Sequence, residues 1–149
     1  WAVGNSKTTI HTSNGGSNYD TQTQDGFTNT INDVHFIDTN NGWAVGRFGQ
    51  MSRTTDGGVT WTTLITPPPT TEANGLLAVH FANQNEGWAG GYSGLILHTS
   101  DGGLTWSQQA VGVTSSSSHI NDIVFLDSIQ GWAVDGGGGT YKTTDGGVT

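Results

Sequence analysis

An all-β fold, a β-propeller of four-stranded antiparallel blades, is what this sequence predicts, on three observations. One phrase recurs: "TTDGGVTW" at 54–61, "TSDGGLTW" at 99–106 and "TTDGGVT" at 143–149, with a worn copy, "TSNGGSNY", at 12–19. A second marker keeps step with it. Trp1, Trp43, Trp88 and Trp132 each open a "WAV" or "WAG" segment, at intervals of 42, 45 and 44 residues, and Asn14, Asp56, Asp101 and Asp145 of the phrase share those intervals. Third, no segment sustains a 3.6-residue apolar period, so no helix of consequence is expected. Two independent markers on one spacing identify a repeat protein, and four short strands in roughly 40–50 residues make a propeller blade.

The strands follow in order within each unit. Around Trp43, "INDVHFID" alternates Val34 and Phe36 with Asp33 and His35; a turn at "TNNG" leads to "GWAVG", and a bend at "RFG" to "QMSRTT". The tight "DGG" turn then returns the chain as "TWTTLIT". The unit around Trp88 repeats this as "LLAVHFAN", "GWAGG", "LILHTS" and "TWSQQAV", and the unit around Trp132 as "INDIVFLD", "GWAVD" and "TYKTT". Short runs rich in β-branched and aromatic residues, punctuated by Gly, Asn and Asp, are strand and hairpin signals. Apolar residues on both sides of these strands suit a blade sandwiched between two others. A parallel β-helix is the alternative architecture, but its coils are shorter and lack such a hairpin phrase. The expected blades are a partial one at 1–25, complete ones at 31–66 and 76–111, and a partial one at 120–149, about three and a half in all. The visible chain enters at the second strand of one blade and leaves after the third strand of another. The expectation is a segment of a larger ring, whose other blades come from the same or another chain.

The 149 residues include 24 Gly, six Trp, no Cys and only four Lys plus Arg, for a formal net charge of -8. Such a surface repels phosphate backbones and anionic headgroups, which argues against nucleic acid as a partner. Without cysteine, disulfide, zinc-thiolate and thiol-nucleophile readings fall together. No apolar run approaches the about 20 residues of a membrane span, and no signal peptide is visible behind Trp1. The Thr, Ser, Asn and Gly richness points to a periplasmic, lumenal or extracellular setting.

The phrase is a self-reinforcing hairpin. Its aspartate accepts N–H bonds within its own turn, the second glycine takes positive φ without steric cost, and the Thr hydroxyl adds a bond. The tryptophan covers the turn, and removing such a buried ring typically costs about 3–5 kcal/mol. Asp56, Asp101 and Asp145, with Trp61 and Trp106, are therefore read as structural. Metal ligation or catalysis is the rival reading of the carboxylates, but a catalytic residue need appear only once. Asn14 can still cap its turn, with weaker packing from Tyr19.

The pattern "GWAVG..G....TTDGG.TW", as in 42–61, resembles the Asp-box repeat (S/T-x-D-x-G-x-T-W/F) of the photosystem II assembly and stability factors of cyanobacteria and chloroplasts. That resemblance implies a seven-bladed propeller acting as a non-enzymatic chaperone or scaffold for a membrane photosynthetic complex, with no cofactor. Asp-boxes also occur in sialidases and xyloglucanase-type glycoside hydrolases. A sialidase clamps its substrate with three arginines, whereas this chain has only Arg47 and Arg53. A two-carboxylate glycosidase needs an unrepeated acidic pair. Glu72 and Glu86 sit in loop-like sequence, and nothing marks two of Asp25, Asp33, Asp122 and Asp135 as partners. The chain is read as a protein-binding scaffold and not as an enzyme. Non-catalytic blades of an exported glycosidase, or a cell-surface adhesive protein, are the alternatives.

One column stands apart. His11, Arg53, His98 and Lys142 each precede the T-x-D or T-x-N of a unit, in a chain with few other cations. Each pairs with a nearby box aspartate or covers a strand, or the four form a basic stripe that docks an acidic partner. His35 and His80 share a strand position with Val124, which argues for packing and against metal, and no metal site is expected. His119 is assigned to a loop. The connections "TPPPTTEANG" (66–75) and "VGVTSSSSH" (111–119) read as stiff and mobile respectively, and "TQDGFTNT" (23–30) places Phe27 at the surface. "DGGGG" (135–139) lacks the lysine and helix of a phosphate loop and is expected to be a floppy turn.

Overall fold

The computed structural model describes residues 1–24, 27–65, 75–109 and 118–148. It holds four antiparallel meanders. The first sheet runs β1 (Ala2–Val3), β2 (Thr8–His11) and β3 (Asp20–Thr23); the second, β4 (Ile31–Phe36), β5 (Gly42–Gly46), β6 (Met51–Thr54) and β7 (Thr62–Leu64). The third contains β8 (Leu76–Phe81), β9 (Gly87–Gly91), β10 (Ile96–Thr99) and β11 (Ser107–Gln108), and the fourth β12 (Ile120–Phe125), β13 (Gly131–Asp135) and β14 (Thr140–Thr143). Strands pair in sequence order within every sheet. The outermost strands are short: "TWTTLIT" and "TWSQQAV" contribute three and two ladder residues. Among the described residues helical geometry is confined to 3-10 turns at Asn5–Lys7, Arg47–Gly49 and Tyr92–Gly94, and no helix is long and apolar enough to cross a membrane.

Adjacent sheets approach most closely along their first strands, with β4 on β8 and β8 on β12. The core lies between sheets, not inside any one of them. Trp43, Val45 and Met51 of the second sheet pack on Leu76, Val79, Phe81, Ala89, Leu97 and Trp106 of the third. Ala78, Trp88 and Ile96 of the third pack likewise on Ile120, Ile123, Phe125 and Ala133 of the fourth. Both faces of an inner sheet are thus buried, which is why its strands carry apolar residues on both sides.

Two expectations fail. Phe27, expected at the surface, is 0% exposed and packs with Ile31 and Ala44. Gly46 leaves the room it needs, since a Cβ there would stand 2.9 Å from the Phe27 ring. The glycine run after Asp135 is not floppy. The Asp135 carboxylate accepts Gly137 N–H at 2.9 Å, Gly139 N–H at 2.6 Å and the Tyr141 hydroxyl at 2.7 Å, closing the turn between β13 and β14.

Candidate functional site

The recurring turns share one bonding scheme. Thr54 Oγ1 donates to Asp56 Oδ1 at 2.8 Å and accepts Gly58 N–H at 2.8 Å, while Asp56 accepts Thr60 N–H at 2.9 Å and the Thr60 hydroxyl at 2.6 Å. Thr99, Asp101, Gly103 and Thr105 repeat it. In the last copy, Asp145 accepts from the Thr143 hydroxyl and from Val148 N–H. In the worn copy, Asn14 Oδ1 still takes Asn18 N–H at 3.0 Å, but Tyr19 is 58% exposed where Trp106 is buried. Hydrogen bonds from Thr105, side chain first and then backbone, hold the Asp101 carboxyl down at about 2, and Thr60 lowers Asp56 in the same way. Carboxylates so occupied are poor proton donors at neutral pH. Both glycines of each turn adopt positive φ, not the second alone; Gly57 and Gly58 stand at 69° and 81°. In three of the turns the first also packs on the neighbouring hairpin turn: Gly57, Gly102 and Gly146 donate N–H to Asn40, Asn85 and Ile129 O, and a Cβ at each would press on a carbonyl there, whereas at Gly15 it would meet nothing within 4 Å.

A staple joins each sheet to the next. Trp43 stacks on Phe81 of the following sheet, with centroids 3.7 Å apart and planes within 9°, and Trp106 meets the same Phe81 edge-on. Trp88 on Phe125 and Trp1 on Phe36 repeat the stack, the latter again with an edge-on Trp61. Trp43 Nε1 and Trp88 Nε1 donate to Gly102 O and Gly146 O in the next sheet's turn. Gly42, Gly87 and Gly131 precede Trp43, Trp88 and Trp132 because a Cβ at any of them would overlap the phenylalanine of the same sheet.

The cationic column rests on those tryptophans. The Arg53 guanidinium lies 5.1 Å over Trp43 and the Lys142 ammonium 5.6 Å over Trp132; the His11 and His98 rings lie 4.4 and 5.0 Å from Trp1 and Trp88. Cross-strand register causes this, since Arg53 faces Trp43, His98 faces Trp88 and Lys142 faces Trp132. Arg53 Nη1 also donates to Gly102 O at 3.3 Å, and His98 Nε2 meets Glu86 at 2.8 Å. Each base therefore turns to its own sheet's indole. Counting across the hairpin, in place of along the chain, would have found this partner in the sequence. Lys142 is exposed and the other three are half-buried.

The first strands carry the remaining candidates. Asp33 Oδ2 accepts Val79 N–H of the next sheet at 2.8 Å, and its Oδ1 accepts Val34 N–H. Burial raises its pKa against those bonds. His35 Nδ1 accepts Phe81 N–H at 3.2 Å, and His80 Nε2 donates to Phe125 O at 2.8 Å. Burial, then the neighbouring His80, lowers His35 to about 4; burial lowers His80 too. Asp122 bonds Ile123 N–H. His119 Nδ1 accepts Ser93 N–H. Asp25 and Glu72 lie outside the described residues, as do most of the 66–75 and 111–119 connections. Among the described residues no group of three or more His, Cys, Asp or Glu side chains could hold a metal ion.

Residues 19–112 match the family described as "Photosynthesis system II assembly factor YCF48". A solved structure of YCF48 bound to a D1 peptide is 33% identical, covers 80% of this chain and superposes with a TM-score of 0.69. YCF48 from Cyanidioschyzon merolae covers 93% at 19% identity and a TM-score of 0.74, a likeness of fold. The GH74 enzyme of Niastella koreensis shares the fold over 80% of the chain, at 23% identity and a TM-score of 0.61. The chain spans 38% and 44% of the two YCF48 structures. No protein with curated annotation matches it.

Proposed function

The chain belongs to the photosystem II assembly factor YCF48 family, and we propose that it is a non-enzymatic propeller scaffold that holds a protein segment during assembly or stabilisation of a membrane photosynthetic complex. The observation that carries this reading is the 33% identity, over 80% of the chain, to a YCF48 solved with a D1 peptide bound. The likeness to a GH74 enzyme supports shared fold alone. The box carboxylates, each bonded within its own turn, favour a scaffold over a hydrolase. In this reading the ring is seven-bladed and works on the lumenal, periplasmic or extracellular side. The present chain supplies the blades at 1–25, 31–66, 76–111 and 120–149, and further blades complete the ring.

His11, Arg53, His98 and Lys142 are the docking stripe of this reading. They recur once per blade, and an acidic chain offers few other cations to a carboxylate-bearing partner. Titration calorimetry with a synthetic D1 peptide tests the scaffold, for which saturable binding is expected. Replacing the four bases by Gln together should weaken that binding at least tenfold while the protein stays folded. Unchanged affinity in a folded variant removes the stripe, and no saturable binding to the unaltered chain removes the peptide partner.

A further inference from the structure

Adjacent sheets of this fold are joined along β4, β8 and β12 by side chains bonding to the backbone of the next sheet. Asn32 Nδ2 donates to Leu76 O, Asp33 accepts Val79 N–H and His35 accepts Phe81 N–H. Of these, the imidazole contact alone is broken outright by protonation, because Nδ1 has a single lone pair whereas a protonated carboxyl keeps an oxygen that can accept. Its ring also lies 4.4 Å from that of His80, tilted by 35°. We propose that His35 and His80 form an acid-sensitive latch between the second and third sheets, in which a proton taken from solvent onto His35 Nδ1 releases the Phe81 amide and loosens that seam.

The chemistry follows from the bond directions. Phe81 N–H donates to Nδ1, so neutral His35 carries its proton on Nε2. A proton on Nδ1 removes the only lone pair the amide can use and leaves two N–H groups facing each other in a half-buried seam. It also sets a cation against His80. The His80 bond behaves differently, because its Nε2–H donates to Phe125 O in either charge state. The latch thus has one labile side, between β4 and β8, and one that tolerates acid, between β8 and β12. The charged groups facing the pair are Asp33 on β4 and Asp122 on β12, both of which favour charge on His80. Lys7 and Arg47 belong to the 3-10 turns packed on β4 and β8. In the fourth sheet Val124 stands at the latch position, so nothing there can respond in the same way.

Burial and His80 hold folded His35 at about 4, below its ordinary 6.5. An opened seam therefore binds up to one more proton at His35 than the closed one between those values, His80 adds to this in the same sense, and stability falls as pH falls from 6.5 towards 4. Asp33, raised by burial, works in the opposite sense just above its ordinary 3.8 and limits the loss at the acidic end.

Amide hydrogen exchange and ring-proton NMR on the whole chain test this. After correction for intrinsic exchange, Phe81 amide protection should fall by up to about tenfold per pH unit between about 6 and 4, one proton's linkage. Gly57, bonded within its own sheet to Asn40 O, should show no such slope. His35→Val should reduce the Phe81 slope to the part that His80, also lowered by burial, contributes, and His80→Val should raise the His35 titration midpoint. Flat Phe81 protection in the unaltered chain, or an equal slope in His35→Val, overturns the proposal. Should His35→Val not fold, an unmoved His35 midpoint in His80→Val does the same.

Discussion

Glycine at the first position of each box turn meets two demands, and two copies of the turn separate them. Gly15 and Gly102 share a left-handed φ, 70° and 75°. Around Gly15 a Cβ would meet nothing within 4 Å, whereas at Gly102 it would press on Gln84 O at 2.8 Å and Arg53 Nη1 at 2.6 Å. Gly15→Ala should therefore cost only the backbone strain, about 1–2 kcal/mol. Gly102→Ala must in addition push the turn off a carbonyl that cannot rotate away. It should be the more damaging of the two by at least about 1 kcal/mol in urea denaturation. Equal costs would mean that the turn gives way freely and that φ alone selects glycine.

At the scale of the hairpin, the box is an acid-labile clasp. The folded Asp101 carboxyl sits at about 2 against an ordinary 3.8, because Thr105 and then Thr99 donate to its charged form. A carboxylate depressed in this way contributes stability that is complete above 3.8 and is lost as pH falls from there through about 2. The thermal midpoint should therefore drop across that window, and Asp101→Asn should flatten part of the drop while lowering the midpoint at neutral pH. This clasp was readable in the sequence, because all its partners lie within six residues and the phrase names them. So were the four strands of the two complete units and their repeat. What local pattern hid was contact across sheets. Phe27 sits in turn-like sequence yet fills the space over Gly46. The cations, which the sequence leaves open to a box aspartate, a strand or a docking stripe, each lie beside a tryptophan of their own sheet that only the strand register reveals. The Trp–Phe stacks join residues 35 to 38 positions apart in chains that only the ring geometry brings together.

For the whole molecule, the seams carry the stability, as expected of a repeat protein whose units bury little alone. Two seams use one phenylalanine as the central ring between two tryptophans, Phe36 between Trp1 and Trp61 and Phe81 between Trp43 and Trp106, so deleting that ring removes both contacts and opens a cavity between sheets. The seams are not equal. Phe81 is 2% exposed and lies 3.7 Å from Trp43, whereas Phe36 is half-buried and lies 4.7 Å from Trp1. The Trp43 indole also donates to Gly102 O, and Arg53 covers it and bonds the same carbonyl. By contrast Trp61 Nε1, at the Trp1 seam, is a buried donor with no hydrogen-bond partner. Phe81→Ala should accordingly cost about 3–5 kcal/mol and Phe36→Ala clearly less, measured as the shift in urea midpoint at constant slope. A reversed order would place the main load on the first seam and would undo the view that ring stacking and the indole–carbonyl bond strengthen one another there. The same seam also sets how acid acts on the fold: the Trp43–Phe81 staple and the His35 latch span the same two sheets, so a Phe81→Ala cavity that admits water to His35 should bring its midpoint back towards 6.5 and shrink the loss of stability between pH 6.5 and 4.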